Sequence, residues 1–151
     1  MKVNVTKSNE YAADIKIVDI DAASKEEILK EYVSTVITAI KSGVFTYVAH
    51  PDLINYKGDD NLYISEITKL CKVSLEYNVP LEINFLGIRD NRNYPYELFW
   101  KIAGDIKSPV TFGFDAHSVM SAYDGDSLKK AKELVEKYKL NYIGKAEIKS
   151  I

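Results

Sequence analysis

The 151 residues contain only two histidines, and each falls at or just past the end of a short apolar run. His50 follows "VFTYVA" and precedes Pro51-Asp52, and His117 follows "PVTFGF" within Asp115-Ala116-His117-Ser118. An Asp-x-His pair leaving a strand can bring a hard oxygen and an imidazole nitrogen together, a common way to hold a divalent metal. Between the two in chain order lies "PLEINF", with Glu82 and Asn84, followed by the loop "LGIRDNRNYP". Its Arg89 and Arg92 are fork-shaped donors suited to an anionic oxygen such as phosphate.

Each of these residues also has a plain structural reading. A histidine at a strand end can be a hydrogen-bonded loop residue. Asp115 and His117 can cap a turn before the next helix, Glu82 can be a buried carboxylate paired with an arginine, and Arg89 can lie on the surface. What separates the two sets of readings is convergence. Both histidines, from separate strands, fall where one rim of a sheet is expected.

The elements that must position them are legible. In "SKEEILKEYVSTVITAIKSG" (24–43), Ser24 and Glu27 make a capping box, and Leu29, Tyr32, Val33, Val36 and Ile40 share one helical face before Gly43 stops the helix. "VFTYVA" (44–49) then reads as a buried strand. Further helices are predicted over 64–78, from near Pro95 through "PYELFWKIAG", and over 126–139. Strands are predicted at 80–85 and 109–114, and "DIKIVDI" (14–20) reads as one more. Strands alternating with helices imply parallel pairing through crossovers, and continuous apolar runs suit a sheet covered on both faces or closed into a barrel. The fold class is therefore α/β, and its working side is the carboxyl end of the strands.

Composition narrows the function classes. One domain is expected from the length. A net charge of −2, with acids and bases interleaved as in "LKKAKELVEKYK", shows no basic stripe for nucleic acid. No apolar run approaches membrane-spanning length, and "MKVNVTKSNEYAAD" has no signal-like apolar region. Cys71 stands alone in a helical pattern and reads as a buried small hydrophobe. A cytoplasmic location is the expectation.

Taken in order, "HPD" after an apolar strand, "LEIN" on the next, a "GxR" loop followed by "YP", and "GFDAHS" after a third resemble the polymerase and histidinol phosphatase (PHP) family, histidinol-phosphatase type. The likeness runs from about residue 30 to residue 145, covering the C-terminal half of the family's domain. The resemblance implies a partial TIM-like (β/α)7 barrel over 26–151, with residues 1–25 an unmatched leader. It implies a divalent metal cluster (zinc, manganese or iron), with His50, Asp115 and His117 as ligands and Arg89 engaging substrate phosphate. The implied reaction is hydrolysis of a phosphorylated small molecule, histidinol phosphate to histidinol and phosphate.

The departures matter as much. The family's first-strand histidine-x-histidine motif has no counterpart, because both histidines are already used. Such barrels run to about 250 residues. Phe114 stands where the family usually carries a small serine. Three ligands can hold one ion but not a three-metal cluster, so the site is expected to be incomplete alone. The alternative is a non-catalytic PHP-like domain that works by binding or assembly. An opened barrel leaves strand edges and apolar surface uncovered, which predicts a homo-oligomer or association with the missing N-terminal half.

Overall fold

The computed structural model describes the backbone of residues 2–9 and 12–18, and residues 25–148. Among the described residues six strands form one sheet in the order β1-β2-β3-β4-β5-β6. β1 (Lys2–Asn9) and β2 (Ala12–Val18) make an antiparallel hairpin. β2 then pairs in parallel with β3 (Tyr47–Val48), and the parallel series continues through β4 (Leu81–Asn84), β5 (Pro109–Gly113) and β6 (Asn141–Tyr142). The α/β class expected from the alternation is therefore present, in an open sheet whose edges are β1 and β6. The expected strand at 14–20 is β2, with residues 19 and 20 outside the described residues. β1 was not anticipated.

Spatial order follows chain order without reversal. With right-handed crossovers, that winding sends successive helices to the same face of the sheet. α1 (Lys25–Lys41), α2 (Asp60–Tyr77), α4 (Glu97–Ile106) and α5 (Gly125–Tyr138) accordingly pack as successive neighbours, while the short α3 (Phe85–Arg89) lies against α5. One apolar core sits between helices and sheet. α1 contributes the stripe Leu29, Tyr32, Val33, Val36 and Ile40, α2 adds Ile67 and Leu70, and β4 adds Leu81 and Ile83. Cys71 is fully buried in this core, and burial pushes its thiol up to about 12.

The boundaries differ from the sequence expectations where local polar groups intervene. α2 begins at Asp60 rather than Ile64, because the Asp59 carboxylate accepts the Asn61 N–H at 3.0 Å and caps the helix. β3 is two residues long instead of six: residues 44–46 lie ahead of it outside the ladder, and the chain bends at Ala49 and His50 just beyond it. Pro95 lies two residues ahead of α4 and not in its first turn. The segment expected to be loop after "LEINF" contains α3. α5 begins at Gly125, one residue before expectation. Gly43 ends α1 as expected, its N–H donating to Ile40. The Ser24 half of the expected capping box lies outside the described residues.

Candidate functional site

β3, β4 and β5 are adjacent and parallel, so their carboxyl ends open on one rim. Two residues beyond the ends of β3 and β5, His50 and Asp115 both take left-handed backbone conformations, with φ of 30° and 43°. Histidine and aspartate are among the side chains that occupy this region more readily than most, yet each such position costs free energy that surrounding contacts must offset. At His50 the contact is specific: its backbone N–H donates to Glu82 Oε2 at 2.9 Å.

Glu82 and Asn84 leave the same face of β4 and are each 3% exposed. The Asn84 side-chain nitrogen donates to Glu82 Oε2 at 3.1 Å and to Asp115 Oδ2 at 3.2 Å. Its oxygen accepts the Gly87 N–H at 3.2 Å and so caps α3. Asp115 in turn extends the network. Its backbone oxygen meets His117 Nδ1 at 3.0 Å and accepts from Arg89 at 3.3 Å. A single hydrogen-bonded chain thus joins His50, Glu82, Asn84, Asp115, His117 and Arg89.

Electrostatics follow from burial. Removing the Glu82 carboxyl from water pushes its pKa up, opposed by the Asn84 amide and the His50 N–H. Tyr47 is raised to about 12 by burial and by the nearby Glu82 and Asp115. Among the described residues Glu82 accepts from His50 and Asn84 and not from an arginine, since Arg89 pairs with Asp124 and Arg92 with Asp90. Gly113, beside it on β5, is required to be small: a β-carbon there would overlap the Glu82 carboxylate.

Arg89 is one quarter exposed and bonds Asp124 Oδ2 at 2.7 Å. Asp124 Oδ1 accepts the Ser127 N–H at 3.0 Å, capping α5, and this bond together with the guanidinium holds its carboxyl below the usual range. Asp124 was not singled out in the sequence, although an aspartate three residues ahead of Ser127 is an available start signal. Arg89, His117, Ser118, Ser121, Tyr123 and Asp126 line part of a cleft of about 530 Å³. Arg92 is bound to Asp90 at 2.9 Å and to the Tyr94 hydroxyl at 3.2 Å, so its guanidinium is occupied at the surface.

A separate buried carboxylate anchors the loop that carries His50. Asp52 Oδ2 accepts from the Tyr96 N–H at 2.7 Å and from Trp100 Nε1 at 2.8 Å, at the start of α4. From the other side, Tyr32 of α1 donates to the Pro51 oxygen at 2.6 Å. His50 is thereby held between two helices and the Tyr94 ring, whose centroid is 5.7 Å away.

The donor types suit a divalent ion. Among the described residues no three or more His, Cys, Asp or Glu side chains gather to hold an ion. The Asn84 nitrogen stands between two of the carboxylates, and His117 is 73% exposed. No described helix is long and apolar enough to cross a membrane. No protein-family model matches the chain, and neither does any curated protein.

Proposed function

We propose that this chain is the C-terminal part of a phosphomonoester hydrolase of the histidinol-phosphatase type, with a site that is incomplete without further groups. The observation that carries the reading is the hydrogen-bonded chain from His50 to Arg89 and His117 across the ends of three adjacent parallel strands. In-order parallel winding from β2 to β6 supports it, because parallel strands wound in one direction are what a partial (β/α)7 barrel requires. In this reading His50, Asp115 and His117 are ligands to a divalent metal (zinc, manganese or iron) completed by a second polypeptide. Arg89, at the edge of the cleft, engages the phosphate of a small-molecule substrate.

A second reading, a PHP-like domain that binds or assembles without catalysis, is favoured by the Asn84 bridge and by the absence of a three-ligand group among the described residues. One experiment separates them. The protein is purified without chelator, its metal content is measured, and phosphate release from histidinol phosphate is followed with added manganese or zinc. Bound metal lost on His117→Ala, together with turnover, supports the hydrolase. A folded protein with neither metal nor turnover supports the binding domain.

A further inference from the structure

We propose that the Asn84 side chain takes the place of a cation between Glu82 and Asp115, so that residue 84 sets whether this carboxylate pair accepts a divalent ion. Glu82 is buried and Asp115, 29% exposed, converges on the same amide nitrogen; two carboxylates so placed are eased by positive charge, a proton or a donor between them. Here the donor is internal. One N–H of the amide reaches each carboxylate, at 3.1 and 3.2 Å.

The orientation of that amide is fixed by its surroundings. Its oxygen already accepts the Gly87 N–H. Turning it over would set Oδ1 against two carboxylate oxygens and the NH2 group against an N–H donor, which is repulsive at all three contacts. A metal bridging Glu82 and Asp115 must therefore displace the amide and give up the cap of α3. Asp115 Oδ1 faces His117 instead, 3.5 Å from its Nδ1, and takes no part in the bridge.

Asn84→Asp is the discriminating change. The new carboxylate keeps an oxygen for Gly87 but replaces the donor with a third anionic group beside Glu82 and Asp115. Affinity of oxygen sites for divalent ions rises with ligand charge, so Mn2+ affinity should increase by about tenfold or more over the unsubstituted chain. Thermal stability should fall without metal and recover as Mn2+ is added. Equal Mn2+ affinity in the two proteins, measured by calorimetry, overturns the proposal.

Nitrogen-15 spectra of the unsubstituted chain decide the point even if the variant does not fold. The Asn84 side-chain NH2 pair should exchange slowly with water, with or without millimolar Zn2+. Rapid exchange, as of an amide released from Glu82 and Asp115, overturns the proposal. The inference rests on the hydrogen bonds alone: absence of phosphate release sinks the hydrolase reading and leaves this one standing.

Discussion

Glu82 fills the space that a side chain at Gly113 would need. The two lie on neighbouring parallel strands, and a β-carbon at Gly113 would overlap the Glu82 carboxyl group. The glycine of "GFDAH" is thus explained by the glutamate of "LEIN", a dependence between segments some thirty residues apart.

Gly113→Ala should destabilise the protein by about 2 kcal/mol, the scale of overpacking a well-filled interior. Glu82→Ala clears the space, so the double variant should lose less stability than the sum of the single changes. Urea denaturation of the four proteins measures the coupling, and strict additivity would refute the steric dependence.

Asp52 links stability to pH. Burial raises its pKa from 3.8 to about 6, against the pull of the Tyr96 and Trp100 donors. An acid whose folded pKa is raised favours the fold while protonated, so its contribution is complete below pH 4 and is lost as pH rises through 6. The span corresponds to about 3 kcal/mol. Urea midpoints measured from pH 4 to pH 7 should show this loss in the unsubstituted protein. In Asp52→Asn the corresponding slope should be missing; an identical pH profile would contradict the assignment.

Asp124 has two separable duties. Asp124→Ala removes both the α5 cap and the Arg89 partner, and should cost about 1 kcal/mol or slightly more. Asp124→Ser restores a capping oxygen but not the ion pair, and should recover most of that loss. If Ser and Ala destabilise equally in thermal melts, the ion pair and not the cap is the stabilising contact.

The edge of the sheet at β6 is short, and Phe114, Tyr142, Ile143 and Ile148 near it are all more than 40% exposed. Exposed apolar groups beside an unpaired strand edge favour association. Size-exclusion chromatography with light scattering at low micromolar concentration should report a homo-oligomer. A clean monomer would remove this expectation.

Helix periodicity and apolar runs sufficed to determine the α/β alternation, the buried stripe of α1 and the rim on which the polar residues fall. These are local properties: a 3.6-residue repeat or a β-branched run specifies which face must leave water, whatever it packs against. His50, Asp115, His117 and Arg89 could be picked out for the same reason, by residue type at a strand end. Tertiary structure alone decided what they touch. Asn84 became the centre of the site because β4 lies beside β5, which brings Asp115 within reach of its amide. Arg89 was turned to Asp124 because α3 packs against α5. Such pairings depend on distances between segments 26 to 35 residues apart, and a linear pattern carries no measure of those distances.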